Sequence, residues 1–283
     1  MARVPEGVNR HELTVVARRV LLDALEALKE QLNAVVLVGA QAVHLHTGHV
    51  LLASSAYTSD ADLTLNPADV LGEPLLDERM KAAGFELNDP FQPGIWTRTE
   101  MIGGQPHRVG VDLLVPEGLA PVAGGRSAQI PPHSKMATRR VLGLEAAVFD
   151  RSVMPVASLE PEVDGRQFKI QVAGPPALLI AKAFKIRDRL RSGVKSPGRL
   201  TDKDAADVVR LMMAARNIRP VFDRLAMQSQ IRNMVLEGCE LLHDQFGSAR
   251  GDGVQMAVRA LTGDLPEERI RLLAPAFVRE NGP

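Results

Sequence analysis

The chain has 283 residues with a formal net charge of zero, and 45% of its residues are hydrophobic. That length can bury a sizeable core, and no apolar stretch approaches the roughly 20 residues that a membrane span needs. The first residues lack the apolar segment of a secretory signal, and the single cysteine, Cys239, excludes an intrachain disulfide. Composition therefore excludes a membrane-embedded protein and predicts a soluble enzyme in the cytoplasm.

The first predicted element is an amphipathic helix over residues 12–32, in which apolar residues recur at steps of three to five. This helix could lie against the apolar strand that follows it, residues 34–38, which ends at Gly39. Residues 34–173 then alternate short strands and helices, and the chain from residue 175 onward reads almost entirely as helix. The sequence predicts an α+β protein with a mixed sheet flanked by helices.

Two aspartates separated by one residue, Asp60 and Asp62, follow Gly39 by about twenty positions. In an extended chain, residues i and i+2 point to the same face, so both carboxylates can project into one small volume. A divalent cation would relieve the repulsion between them, and magnesium prefers such oxygen ligands. The alternative is a pair of solvated acids at an exposed strand end.

A third aspartate, Asp112, stands in the predicted strand 107–115, which is largely apolar from Val109 onward. A lone buried carboxylate is costly, so either hydrogen bonds satisfy Asp112 or it shares a metal with Asp60 and Asp62.

Two helices are predicted downstream. The first starts at the two prolines 175–176, and Lys182 lies on its apolar face, where a buried ammonium group would need an anion. The second follows residues 201–202, either of which can cap it, and carries Asp204 on its apolar stripe. The alternative is that Lys182 extends to solvent and that Asp204 is a first-turn acid favoured by the helix dipole.

In this order, a strand ending in glycine, a short helix, an Asp-x-Asp strand, a single-Asp strand and a lysine helix resemble the nucleotidyltransferase superfamily. Within it, the chain looks most like the AbiEii and MenT-type toxins, through residues 39–46 (Gly-Ala-Gln-Ala-Val-His-Leu-His), residues 58–63 (Thr-Ser-Asp-Ala-Asp-Leu) and the lysine helix. The resemblance covers about residues 30–215.

The chain departs from the family at two positions. Ala40 stands where the family usually has a second Gly or a Ser beside the triphosphate, although alanine is nearly as small. The family also often carries an arginine shortly before the Asp-x-Asp motif, where this chain has residues 54–57 (Ser-Ser-Ala-Tyr).

The resemblance implies a nucleotidyltransferase core with an N-terminal helix over residues 1–173 and a helical C-terminal lobe over 174–283. The implied enzyme transfers a nucleoside monophosphate from an NTP to an acceptor hydroxyl on tRNA, with Mg²⁺ or Mn²⁺ as cofactor, and releases pyrophosphate. The implied catalytic residues are Asp60, Asp62, Asp112, Lys182 and Asp204. Of these, Asp60 and Asp62 bind metal, and Asp112 either binds the metal that activates the acceptor hydroxyl or acts as the general base for that hydroxyl. The implied nucleotide-binding residues are Gly39, Ala40, Thr58, Ser59, Lys182 and Lys185. A cognate antitoxin is an implied partner and could modify Thr58 or Ser59.

The charge is unevenly distributed although it sums to zero. Residues 181–220 hold eleven basic and four acidic residues, a net charge of +7. A second basic cluster between Arg126 and Arg140 lies in a Gly- and Pro-containing segment that could be a mobile loop beside the site. This clustering of positive charge fits binding of an RNA backbone or, equally, a solvated helix face. Because only 4% of the residues are aromatic, base stacking should not dominate recognition of RNA.

Other functions stay open at this stage. The enzyme could be an adenylyltransferase acting on a small molecule or a protein, or the chain could bind nucleotide or a partner without catalysis, as Ala40 and the missing arginine suggest. His44, His46 and His49 invite a zinc site, but no fourth ligand is spaced sensibly nearby, so a surface or packing role is predicted.

Overall fold

The structure is a computed structural model that describes residues 9–48, 50, 58–121, 125–193 and 202–282. Its strands are β1 (Val35–Val38), β2 (Asp60–Leu65), β3 (Glu86–Leu87), β4 (Ile95–Ile102), β5 (Gln105–Pro116), β6 (Arg139–Val141), β7 (Arg151–Ala157) and β8 (Gln167–Ala173). Its helices are α1 (Arg10–Ala27), α2 (Gly39–Thr47), α3 (Leu76–Ala82), α4 (Glu145–Phe149), α5 (Pro175–Gly193), α6 (Lys203–Ala214), α7 (Arg219–Ala226), α8 (Arg232–Phe246), α9 (Asp252–Ala260) and α10 (Glu267–Asn281). The predicted α+β class is confirmed.

The chain divides into two compact units. The first comprises Met1–Gln41, Tyr57–Val141 and Arg151–Ala173, and the second comprises Ala42–Ala56, Leu142–Asp150 and Gly174–Pro283. The described residues 42–48, 50 and 142–150 belong to the same unit as the helices from residue 174 onward.

The first unit is built on one mixed sheet with the strand order β3-β4-β5-β2-β1-β8-β7, and β6 adds to the end of β5. Strand β1 pairs antiparallel with β2 and parallel with β8, whereas β2 pairs parallel with β5. The central strand β1 is buried along its whole length, as its run of valine and leucine predicts.

The two faces of this sheet differ. Helix α1 packs on β2, β4 and β5, and its Asp23 pairs with Arg98 of β4 at 2.8 Å. Arg98 lies opposite Val109, which shares its face with Val111 and therefore with Ala61, the residue opposite Val111. Asp60, Asp62 and Asp112 alternate with these residues along the strands, so they lie on the other face of the sheet.

Helix α1 ends earlier than predicted. It stops at Ala27, where the amide of Leu28 bonds back to the carbonyls of Ala24 and Glu26, and a 3-10 turn over Lys29–Gln31 follows. The predicted apolar stripe is confirmed by Val16, Val20 and Leu25, which are buried.

The second unit consists of helices. Helix α5 packs on α4, α6 and α8, and α6 packs on α9 and α10. Helix α6 is the most enclosed of these helices, since the nine residues 204–212 are all buried. Cys239 of α8 is buried as predicted, and burial raises the pKa of its thiol to about 12.

The basic segment between Arg126 and Arg140, in which the sequence suggested a mobile loop, is a loop only as far as residue 138. Residues 139–141 form β6 on the end of β5, and His133 is buried, with Nδ1 accepting from the amide of Leu76 at 3.2 Å. Arg140 is nearly buried and pairs with Glu117 at 3.2 Å. Contacts with segments distant in sequence therefore hold the end of this basic segment in place.

Across the described parts of the chain, no helix combines the length and apolarity needed to cross a bilayer.

Candidate active site

The first cluster of interest lies on two neighbouring strands of the first unit. Strands β2 and β5 run parallel, and their register places Asp62 directly opposite Asp112 and Asp60 opposite Gly110. Asp60 is exposed, and Asp62 and Asp112 are half-buried. Because opposite residues of paired strands point to the same face, three carboxylates share one patch of the sheet.

Gly39 completes this patch. It is the first residue of α2, it has φ +69, and a Cβ built on it would collide with the Asp62 carboxylate, 2.8 Å from its Cγ. Glycine is needed here both for the positive φ and for the close approach of Asp62 to the backbone. The Asp62 carboxylate therefore packs against the start of a helix, where backbone amides and the helix dipole favour negative charge.

Thr58 and Ser59 precede the first aspartate. Thr58 is buried, and its hydroxyl lies 2.9 Å from the carbonyl oxygen of Asp60 and 3.2 Å from Oδ1 of the same residue. Ser59 is half-buried. The Thr58 side chain thus orients Asp60, and of the two hydroxyls the one on Ser59 is more accessible.

Gln41 fixes the first turn of α2 to the start of β2. Its Nε2 donates to the carbonyl oxygens of Asp60 and Ala17, both at 3.3 Å, and its Oε1 accepts from Nε of Arg18 at 2.7 Å. Gln41 and Arg18 are both buried, and the sequence analysis selected neither. The signal in the sequence that could have identified Gln41 is a glutamine two residues after Gly39, in the first turn of the predicted helix.

The donor chemistry of the three aspartates suits a hard divalent cation, since carboxylate oxygens are the ligands that Mg²⁺ prefers. Strands in a sheet lie about 4.8 Å apart, so carboxylates on opposite residues are within reach of one ion after side-chain rotation. In the arrangement that the structure has, no three histidine, cysteine or carboxylate side chains among the described residues are grouped closely enough to hold a metal. His49 lies outside those residues.

The second cluster lies in the helical unit. Nζ of Lys182, on α5, lies 2.8 Å from Oδ1 of Asp204 and 2.7 Å from Oδ2 of Asp207, both on α6. The three side chains are at most 5% exposed. Lys182 therefore does not extend to solvent, and the anion that a buried ammonium needs is supplied by two carboxylates of the chain itself.

The ion pair changes the pKa values of both Lys182 and Asp204. Burial would lower the pKa of Lys182, but Asp204 and Asp207 outweigh it and raise that pKa above its usual range. Burial would likewise raise the pKa of Asp204, but three nearby cations hold it well below its usual range, namely Lys182, Lys185 and Arg189. The ammonium and the Asp204 carboxylate are thus both charged at neutral pH.

His44, on α2, belongs to the same unit. Burial lowers the pKa of His44 to about 4, with Asp207 opposing the shift and the cations Arg210, Lys203 and Lys182 adding to it. Its Nε2 is buried without a hydrogen-bond partner among the described residues. The imidazole of His44 is therefore neutral at pH 7.

Two residues of this cluster were missed by the sequence analysis. Asp207 lies three positions after Asp204 and therefore on the same face of α6. This spacing could have identified Asp207 as a second carboxylate facing α5. Arg189 lies seven positions after Lys182, on the same face of α5, and pairs with Oδ2 of Asp204 at 2.7 Å.

No protein-family model matches the chain, and no curated protein has significant similarity to it. The functional interpretation therefore depends on the two clusters themselves.

Proposed function

We propose that the chain is a metal-dependent nucleotidyltransferase that moves a nucleoside monophosphate from an NTP to an acceptor hydroxyl on tRNA. The observation that supports this most directly is the placement of Asp60, Asp62 and Asp112 on one face of two adjacent strands, with Asp62 against Gly39 at the start of α2. Acidic side chains next to a helix N-terminus combine the two requirements of a triphosphate site, which are oxygen ligands for a cation and amides for phosphate.

The residues have separate roles in this proposal. Asp60 and Asp62 would hold Mg²⁺, or Mn²⁺ in its place, and the ion when bound supplies positive charge to the triphosphate. The amides of Gly39 and Ala40 would donate to phosphate oxygens. Asp112 would accept the proton of the acceptor hydroxyl. The hydroxyl oxygen would bond to the α-phosphorus as the bond between that phosphorus and pyrophosphate breaks.

The test is incubation of the purified protein with Mg²⁺, total tRNA and each α-labelled NTP in turn, followed by a denaturing gel. Label on tRNA from one NTP supports the reaction, the donor and the acceptor class together. Label on protein or on a small molecule would instead support an adenylyltransferase with another acceptor.

Asp60→Asn should reduce labelling to background while leaving the urea unfolding curve unchanged, because Asp60 is exposed and stabilises little. The matched control is Asp69→Asn, which changes an exposed aspartate just after the same strand, paired with Arg151 at 3.6 Å. Full activity in Asp60→Asn, or equal losses in both variants, would remove the metal-ligand assignment.

A second candidate, a protein that binds nucleotide or a partner without catalysis, is favoured by a specific observation. Lys182, the lysine that the resemblance assigns to substrate phosphate, is enclosed and held by two carboxylates. Magnesium-dependent NTP binding with no label on any acceptor would support this candidate. Silencing by a cognate antitoxin belongs to the first proposal, and Ser59 is the more accessible hydroxyl for it.

A further inference from the structure

The face of the sheet that carries the three aspartates also carries an arginine. Arg108 of β5 stands two positions before Gly110 and four positions before Asp112. Because successive residues of a strand point to opposite faces, Arg108 and Asp112 share one face of the sheet. Arg108 is exposed, as Asp60 is on the neighbouring strand β2. Solvent, and with it a ligand, therefore has access to both side chains on the same face.

The guanidinium of Arg108 leans along the strand toward the aspartates. Arg108 is paired with Thr99 of β4, but its Nε and Nη2 donate to Oγ1 of Thr97, at 3.2 and 2.7 Å. Thr97 is paired with Gly110, and Gly110 is paired on its other side with Asp60. The guanidinium thus lies one residue pair closer to the aspartates than its own backbone does, beside a glycine that has no side chain to separate it from Asp60.

The partner that holds Arg108 is neutral and fixed in place. Thr97 is only 7% exposed, and its hydroxyl carries no charge. No carboxylate in the described part of the chain forms an ion pair with Arg108, whereas Arg98 on the same hairpin pairs with Asp23 and Glu100. A guanidinium without a carboxylate partner can bind an oxyanion, and one that is already positioned loses less rotamer freedom on binding.

The strand order places Arg108 on the far side of the aspartates from the proposed triphosphate site. Gly39, whose amide we assign to the triphosphate, follows β1, and β2 separates β1 from β5. Neighbouring strands lie about 4.8 Å apart, so β5 is about 10 Å from β1. The guanidinium of Arg108 leans further away, toward β4, whereas Asp112, the proposed acceptor of the hydroxyl proton, stands on β5 itself. Arg108 is therefore on the side from which the acceptor hydroxyl would approach.

We propose that Arg108 binds a backbone phosphate of the RNA acceptor, near the hydroxyl that reacts at Asp112, and that Thr97 is the positioning residue that holds Arg108. This inference rests on the proposed nucleotidyltransferase function, whose acceptor it specifies as a phosphate-bearing chain. A guanidinium has five N–H donors, so the two bonds to Thr97 leave three for phosphate oxygens. Phosphate oxygens also occur in the NTP donor, and the test separates the two sources.

The test measures binding of end-labelled total tRNA to the full-length protein, with Mg²⁺ and without NTP, at several salt concentrations. Arg108→Gln should weaken binding about tenfold and lower the slope of log affinity against log salt by about one, as loss of one phosphate contact does. Arg108→Lys, which keeps the charge but not the fork, should recover part of that affinity. Thr97→Val, which keeps the shape of the side chain without its hydroxyl, should weaken binding by a smaller factor.

The matched control is Arg19→Gln. It removes the same charge from α1, which packs on the opposite face of the sheet, where Arg19 pairs with Glu160 at 3.2 Å. Equal weakening of tRNA binding in Arg108→Gln and Arg19→Gln, or no tRNA binding by the wild-type protein, would overturn the inference.

The transfer assay distinguishes the acceptor from the donor. Arg108→Gln should raise the KM for tRNA and leave the KM for NTP unchanged, and a rise in the KM for NTP alone would assign Arg108 to the triphosphate and overturn the acceptor contact. If label is transferred to tRNA with both KM values unchanged in Arg108→Gln, the inference fails while the proposed function stands. If tRNA binding depends on Arg108 but no NTP labels any acceptor, the RNA contact stands and the proposed function fails.

Discussion

Lys182→Met tests whether the buried lysine anchors the helical unit. Methionine keeps much of the length and volume of the lysine side chain but removes its charge, so the change leaves Asp204 and Asp207 without the ammonium that they share. The lost contacts are electrostatic, and no large cavity is created.

The expected magnitude follows from the geometry. Both carboxylate oxygens lie within 2.8 Å of one nitrogen, so they are at most about 5.5 Å apart, and at an effective dielectric of about 20 two unit charges repel by about 3 kcal/mol at that distance. Removing one partner of a buried ion pair costs about 3–5 kcal/mol in general. Lys185 and Arg189 still compensate Asp204 in the variant, so we expect the lower end of that range, about 3 kcal/mol.

The pH dependence gives a second readout. In the wild-type protein the pKa of Asp204 lies below its usual value, so its contribution to stability is present above the unfolded pKa and is lost as pH falls through the folded one. In Lys182→Met, a buried carboxylate that has lost the lysine ammonium instead takes up a proton more readily when folded than when unfolded. The deficit of the variant should therefore be largest near pH 7 and shrink toward pH 4.

The assay is urea unfolding followed by far-UV circular dichroism, with fluorescence of Trp96, the only tryptophan, as a separate probe of the sheet. A loss below about 1 kcal/mol at pH 7 would mean that the lysine does not compensate the carboxylates, because it is smaller than the repulsion at this distance. A deficit that does not change between pH 7 and pH 4 would contradict the charge argument even if the loss were large.

Two further predictions concern single positions. Gly39→Ala should destabilise the protein by about 1–2 kcal/mol more than Gly84→Ala in urea unfolding. Both glycines have positive φ, but an added Cβ meets Asp62 only at Gly39. Equal losses of stability in the two variants would mean that the Asp62 side chain moves away freely. His44 should lower stability as pH falls from 6.5 to 4, by up to about 3 kcal/mol, because the unfolded chain takes up a proton that the folded one refuses. His44→Gln should remove that slope from urea midpoints measured at pH 7, 6 and 5, and an unchanged slope would assign it to other groups.

Local pattern was enough to predict much of the fold, but not the contacts between distant segments. The period of two predicted that Asp60 and Asp62 share a face, and the apolar run predicted the strand of Asp112. The pairing of Asp62 with Asp112 depends on the strand order of the sheet, which no local pattern contains. The pairing of β6 with β5 was missed for the same reason.

The helical unit shows a different limit. An apolar face predicted that Lys182 would be buried and need an anion, which the structure confirms. The identity of that anion was taken to be a substrate phosphate because the resemblance suggested it, whereas two carboxylates of α6 are in contact with the lysine. Asp207 was overlooked because acids are mostly exposed, and a buried acid can be recognised only once its partner is known.

Exposure, more than residue type, separates the side chains that a ligand can reach from those that hold the fold together. Asp60 is exposed and Asp62 and Asp112 are half-buried, so an ion or a phosphate can approach them from solvent. Lys182, Asp204 and Asp207 are enclosed, and opening them to a ligand would break a buried ion pair at a cost of about 3–5 kcal/mol. Loss of activity in a Lys182 variant would therefore have to be separated from loss of folding.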